Sequence, residues 1–445
     1  MTIDPLRLGI GLLVVLIGIA GGPASGQTDS WYEVSKAGLR AAGEGRISEA
    51  EQLFREALQL SKDYHDDDPR RATSINNLGY VLHLQGRYAE AEPRYREALE
   101  LREAALGPDH PDVAQSCNNL AELDRVLGHY DEAEQLHRRA LEIRKKALGP
   151  QHPDVAQSLN NLGVLYAHQG RYKDAEPLYR RALEIRIASF GEDDLTTAET
   201  RNNLATLYYA QGRYADAEKL YEQALAVEEK ALSPDHPSLA TTLSNLAELH
   251  RIQGEVDQAI ELHQRALAIR EKALGPNHPE TAQSLNNLAV AHYNRALALD
   301  GKGEAERAKV DYDRAEELYK RSIAIKEAAL GAEHPELALT LNNLAELYRT
   351  QQRFDEAEAL YTRAIAIDEK SLGPDHPSLA LGLNNLALLH YNRGAYVKAE
   401  PLLRRALAIE EHALGPDHPE LIVTLENYAA VLRELHRYTE ADQME

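Results

Sequence analysis

The chain has 445 residues, with 49 basic against 71 acidic side chains and a formal charge of −22. Hydrophobic residues make up 43%, enough to bury a core, but the acidic excess excludes binding to nucleic acid or anionic lipid through the overall field, because both rest on clustered Lys and Arg. A single cysteine, Cys117, excludes an intramolecular disulfide framework and any multi-cysteine metal or cluster site.

The first thirty residues differ from everything after them. No charged or polar side chain occurs from Leu8 to Ala20. As a helix this stretch spans about 20 Å, short of a bilayer core of about 30 Å. Arg7 precedes it, and Ala24-Ser25-Gly26 places small side chains at the −3 and −1 positions of a cleavage site before Gln27. The layout predicts a signal peptide over 1–26 and an exported protein, periplasmic or secreted. The alternative is an uncleaved anchor over residues 6–24 that holds the rest outside the cytoplasm.

From there to the end one unit recurs. GPDHP and its variants begin at Gly107, Gly149, Ser233, Gly275, Gly331, Gly373 and Gly415, mostly 42 residues apart. Gly191-Glu192-Asp193-Asp194-Leu195 fills one slot in degenerate form, and the interval from Gly275 to Gly331 is 56. An asparagine keeps the same beat at Asn77, Asn119, Asn161, Asn203, Asn245, Asn287, Asn343, Asn385 and Asn427. A fixed period of this length is the mark of a solenoid.

Within a unit the apolar spacing is helical. Leu159, Leu162, Gly163 and Tyr166 fall at i, i+3, i+4 and i+7, and Ala175, Leu178, Tyr179, Ala182 and Leu183 repeat the rule after Gln169-Gly170-Arg171. Each unit therefore reads as two amphipathic helices joined by a tight glycine turn. Leu-Gly-Pro ends the second helix, and His-Pro opens the next unit with proline in a first helical turn. Pro93, Pro177 and Pro401 are expected early in second helices, where a missing N–H has no partner to lose.

The segment NNLGVLYAHQGRYKDAEPLYRRALEI resembles a tetratricopeptide repeat, with Gly163, Tyr166, Gly170, Tyr172, Ala175, Tyr179 and Ala182 at the signature positions. The 42-residue variant ending in ALGPDHP is similar to the repeats of kinesin light chain. A diverged copy starts at Trp31, with Gly38, Gly45, Ala50, Phe54 and Ala57 in matching places. The resemblance implies an all-α fold, a right-handed superhelical solenoid of stacked antiparallel helix pairs over 27–445. Nine full pairs and a truncated tenth are expected. The heptad stalk of kinesin light chain is absent, so a motor-associated role is not implied.

The repeat also accounts for 22 tyrosines beside three phenylalanines. Tyr88, Tyr130, Tyr172, Tyr214, Tyr396 and Tyr438 share one slot, and Tyr95, Tyr179, Tyr221, Tyr319 and Tyr361 another; both are expected in the core. The extra residues of the long interval predict a lengthened helix hairpin around 292–316. Leu288, His292, Ala296 and Leu299 continue one stripe, Ala305, Ala308, Tyr312, Ala315 and Tyr319 the other, and Gly301-Lys302-Gly303 makes the turn.

Seven His-Pro pairs invite a metal assignment, but ligands of one ion converge within about 2 Å of it. Equivalent helices in a stack lie at least about 8–10 Å apart. His110, His152, His236, His278, His334, His376 and His418 are therefore read as turn residues, with no metal and no cofactor. No HExxH, P-loop, GxGxxG or EF-hand pattern occurs, and no base, nucleophile and charge stabiliser converge, so no enzyme is expected. Cys117 stands where other units carry Leu159 or Leu243 and reads as a buried apolar substitute.

What remains is a surface for a protein partner. The resemblance implies that first helices line a concave face and that the nine asparagines above point into it. An amide offers donor and acceptor, so a ladder of them suits the backbone of an extended peptide. The competing reading ties neighbouring helices together through the same amides, and both uses are compatible. Two turns along, Arg125, Arg251, Arg349 and Arg433 alternate with Tyr209, Tyr293 and Tyr391, and Glu122, Glu248 and Glu346 stand three residues before an arginine. Kinesin light chain grooves take acidic, tryptophan-containing peptides; the glutamates here offset the arginines. The expected function is an interaction scaffold that binds an extended segment, with no membrane insertion of the solenoid. Two alternatives are an oligomerisation scaffold working through its edges, including self-association at the C-terminal edge, and a regulatory arm for a separately encoded enzyme.

Overall fold

A computed structural model describes residues 30–64, 68–414 and 421–444. The leader expected over 1–26 and His418 lie outside the described residues. The chain divides into two compact units, 2–287 and 288–445. The N-terminal unit holds α1 (Ser30–Gly43), α2 (Ile47–Leu60), α3 (Pro69–Leu84), α4 (Tyr88–Leu106), α5 (Pro111–Val126) and α6 (Tyr130–Leu148). It continues with α7 (Pro153–His168), α8 (Tyr172–Phe190), α9 (Leu195–Ala210), α10 (Tyr214–Ala231), α11 (Pro237–Ile252), α12 (Val256–Ala273) and the start of α13 (Pro279–Asp300). The C-terminal unit holds the rest of α13, α14 (Ala305–Leu330), α15 (Glu336–Thr350), α16 (Phe354–Leu372), α17 (Ser378–Asn392), α18 (Tyr396–Leu414), α19 (Leu421–Glu434) and α20 (Tyr438–Met444).

Apart from a short 3-10 turn at Ser61–Asp63, every regular element among the described residues is an α-helix, and the fold is an all-α solenoid. Within each unit consecutive helices pack on one another, and first helices two places apart also meet, as α5 does α7 and α15 does α17. Small residues at the pair interface let large ones in. Ala175, Ala182 and Tyr179 are buried together with Leu162 and Tyr166, each large side chain stabilising by about 1.5–3 kcal/mol.

The His-Pro motif is a helix cap. In α5, α7, α11 and α13 the Nδ1 of His110, His152, His236 and His278 accepts from the backbone N–H two residues on, at 3.1–3.2 Å. His334 and His376 do the same before α15 and α17. In the degenerate slot Asp194 accepts from the Thr196 N–H at 2.8 Å, and Asp68 caps α3 in the same way. Histidine thus does the work usually given to Asp or Asn. At the other end, Gly107, Gly149, Gly191, Gly331 and Gly373 close second helices with φ between 85° and 100°, a region that disfavours any side chain.

Two expectations need correction. Ala91 and Ala175 already donate to Arg87 and Arg171, so Pro93 and Pro177 lie beyond the first turn and each forgoes an intrahelical bond. The second helices start at Tyr88 and Tyr172, directly after the glycine turn, so each proline is the sixth residue of its helix. The tyrosines also divide: Tyr95, Tyr179, Tyr221, Tyr319 and Tyr361 are fully buried, whereas Tyr214 and Tyr438 are exposed and Tyr130, Tyr172 and Tyr396 half-buried. The second group stands at helix starts, at the edge of the pair, where Tyr214 and Tyr396 meet the last turn of the preceding helix through Tyr209 and Tyr391.

The long interval adds to both helices of one pair. α13 and α14 run 22 and 26 residues, against 16 and 19 for α7 and α8. At the base of this hairpin Asp311 accepts from His292 Nδ1 at 2.7 Å and from Arg295 at 2.7 and 2.9 Å. Val310 on its outside is 69% exposed.

Candidate partner-binding face

The first-helix stripe of the N-terminal unit is built on a buried polar network that the sequence pattern alone did not announce. One second-helix slot carries Arg102, Arg144, Arg186, Glu228 and Arg270, all buried. Arg144 donates to Ser158 Oγ at 3.0 Å, to the Asp154 carbonyl at 3.1 Å and to Gln115 Oε1 at 3.0 Å. Gln115 passes the chain on, donating to Asn119 Oδ1 at 3.0 Å, and Asn119 Nδ2 donates to Asn76 Oδ1 of the preceding repeat at 2.8 Å. Arg186, Gln157 and Asn161 form the same relay at 2.7 and 2.8 Å. The signal was present: a cation recurring on the 42-residue beat inside an otherwise apolar face.

The asparagines therefore meet each other. Asn203 donates to Asn160 at 2.9 Å and Asn245 to Asn202 at 3.0 Å, and Asn287 accepts from Gln283 at 2.8 Å. Asn119, Asn203, Asn245 and Asn287 are buried, and Asn161 is half-buried. The helix-tying use is thus realised in these bonds. Asn77 stands apart. It is 1% exposed, yet neither Nδ2 nor Oδ1 has a partner among the described residues. Its repeat has Thr73 where Gln115 or Gln157 would donate, and the repeat before it has Val34 where an asparagine would accept.

The arginines pair along their own helices. Arg125 Nε donates to Glu122 at 2.9 Å, with His168 Nε2 3.1 Å from the same guanidinium, and Arg251 Nε donates to Glu248 at 2.7 Å. Glu248 is fully buried, and burial holds its carboxyl above the usual range despite Arg251. Tyr209 lies over Tyr214, ring centroids 5.9 Å apart, with its hydroxyl 3.5 Å from Glu248.

In the C-terminal unit the same slots recur with looser burial. Asn427 donates to Asn384 at 2.9 Å; Asn343 is buried, Asn385 half-buried. Arg349 Nε donates to Glu346 at 2.7 Å, whose carboxylate also accepts from Tyr361 at 3.0 Å. Tyr293 reaches Thr350 at 2.8 Å, and Tyr391 packs edge-on to Tyr396. Arg433 is exposed, 3.7 Å from Asp442, and Ile422 and Val423 at the start of the same helix are more than half exposed. Among the described residues no three His, Cys, Asp or Glu side chains are grouped to hold a metal ion, and no helix is long and apolar enough to cross a membrane.

The tetratricopeptide repeat profile matches nine overlapping segments that together run from residue 34 to 445. No curated protein sequence matches significantly. Among solved structures, BtubC (BKLC) from P. vanneervenii is 27% identical over 55% of this chain and 93% of its own, with a TM-score of 0.40. A kinesin light chain of Podosopora anserina, made of nearly identical repeats, is also 27% identical, over 49% of this chain and 97% of its own, at a TM-score of 0.38. The human IFIT1 dimer with m7Gppp-AAAA covers 94% of this chain and 89% of its own at 16% identity and a TM-score of 0.55, a likeness of fold alone. Repeats of this kind generally serve as scaffolds for protein partners, and the chain belongs to the tetratricopeptide repeat family.

Proposed function

We propose that the chain is an exported interaction scaffold that binds an extended segment of a partner protein along the first helices of its repeats. The observation that carries this reading is the regular stripe on those helices, where amides, Glu–Arg pairs and tyrosines recur at one register while the outer faces carry dispersed ion pairs. Tyr209 and Tyr391 supply apolar area with a polar rim, the kind of side chain that anchors a segment at low entropic cost. Arg125, Arg251 and Arg349 are already paired with glutamates, so the stripe offers alternating charge rather than a cationic track. A segment of mixed charge with apolar anchors suits it better than a strongly acidic one.

The test is direct. Peptides selected on the full chain from a random library should lose at least tenfold in affinity with Tyr209→Ala or Tyr391→Ala, and keep it with Lys219→Ala on the outer face. Equal loss in all three variants, or none, rejects the stripe as the binding face. Export is tested separately: an alkaline phosphatase fused after residue 445 should be active, and the mature protein should begin at Gln27. An inactive fusion overturns export, and an intact Met1 on an active fusion selects the anchored form.

A further inference from the structure

The two ends of the N-terminal unit meet. Gly45, in the turn between α1 and α2, lies against His278, the cap of α13, although nearly the whole unit separates them in sequence. A Cβ on Gly45 would stand 2.3 Å from His278 Cδ2 and 2.5 Å from Nε2. The ring cannot swing away freely, because its Nδ1 accepts from the Glu280 N–H at 3.1 Å to cap α13. Gly45 has φ +72°, so glycine suits this position on two counts. A second observation places the start of α13 near the inner stripe of α3. The Tyr80 phenol is pushed above its ordinary range first by burial and then by the nearby Glu280 carboxylate. Tyr80 stands three residues from Asn77 on the same face of α3.

Asn77 is the rung of the ladder whose amide has spare capacity at both atoms, and it is sealed from solvent. At Asn119, Asn161, Asn203, Asn245 and Asn287 the second asparagine bonds a glutamine on its own helix or an asparagine on the first helix of the preceding repeat. A peptide unit has the complementary pair, a carbonyl to accept from Nδ2 and an N–H to donate to Oδ1. A buried amide left unpaired is costly, and an arriving backbone would relieve that cost.

We propose that the α1–α2 turn and the start of α13 form a clasp that closes the inner face of the N-terminal unit. A partner's extended segment enters when the clasp opens, its backbone then pairing with Asn77. The gate rests on the partner-binding reading above; the clasp itself does not. Population shift supplies the physics, since a segment that binds the open form draws the unit open.

The experiment uses the full chain carrying Glu44→Cys and Asn277→Cys, both exposed and both leaving the His278 cap intact. The native thiol of Cys117 is buried and pushed up to about 11, so it stays unreacted. A short bismaleimide should link the two new cysteines within one folded chain, and not after unfolding in urea. Failure to link in the folded chain overturns the clasp whatever the groove does. Peptides selected from a random library should then associate at least tenfold more slowly with the linked chain than with the same variant unlinked. Gly45→Ala should speed association, whereas Gly212→Ala, with the same φ but open space around the added Cβ, should not. Unchanged association with the linked chain overturns the gate. Linking without peptide capture by either form rejects the partner-binding reading, and the gate with it.

Discussion

Arg186 on α8 and Glu228 on α10 hold one slot in successive repeats and meet opposite fortunes. Arg186 donates to Gln157 Oε1 at 2.7 Å, Thr200 Oγ1 at 2.7 Å and the Thr196 carbonyl at 2.6 Å. Glu228 accepts one bond, from Thr242 at 3.1 Å, and its Oε2 has no partner among the described residues. Burial pushes its carboxyl up to about 7. The slot is lined with acceptors, so a guanidinium saturates it and a carboxylate does not. One repeat can thus carry a misfit because its neighbours hold the stack, as expected where stability is a sum of local and nearest-neighbour terms.

The largest effect should come from emptying the cationic slot. Arg186→Leu removes three hydrogen bonds and leaves Gln157 Oε1 without its donor, and should cost about 3 kcal/mol, read as faster hydrogen exchange across α8 and α9. An unchanged rate would mean that the guanidinium does not hold the slot together. Glu228→Gln should act the other way. A folded-state value near 7 above an ordinary 4.5 means that the native state takes up a proton, so the wild type loses stability as pH rises from 4.5 to 7 and stays low above it. The variant should be about 2 kcal/mol more stable at pH 8, the gain fading toward pH 4.5. A gain independent of pH would show that the charge is not the misfit.

The asparagine ladder sharpens the same point at lower energy. Asn119→Leu removes the bonds from Gln115 Nε2 and to Asn76 Oδ1 and should cost about 1.5 kcal/mol, whereas Asn77→Leu removes an amide without partners among the described residues and should stabilise slightly. Matching losses in thermal melts of the two would mean that Asn77 is satisfied after all. Smallest is the cap: His152→Ala should cost about 1 kcal/mol and His152→Asp little, because Asp194 and Asp68 cap their helices in the same slot. A drop as large for Asp as for Ala would deny the histidine its capping role.

Much of the fold was legible because it is written ten times. Helix pairs, glycine stops and the Tyr179-type core follow from period and spacing, which local interactions enforce. The Glu122–Arg125 type of pair was legible for the same reason, since three residues on a helix are one turn. The relay from Arg144 through Gln115 and Asn119 to Asn76 was not, because it joins three helices and depends on which face of each is turned inward. The place of Pro93 within its helix was misjudged, because how many residues precede the first full backbone bond depends on turn geometry that composition leaves open. The meeting of Gly45 with His278 depends on how repeats wind, which no single repeat encodes.

On the proposed reading, a partner segment lies along the first helices. Its most direct test is photo-crosslinking of a library-selected peptide to the full chain, with the adducts mapped by mass spectrometry. Adducts are expected on the inner stripe of α5, α7, α9 and α11 or of α15 and α17, near residues such as Tyr209 and Tyr391. Adducts confined to the outer faces of α8, α10 and α16, or to the hairpin around Val310, would contradict that reading.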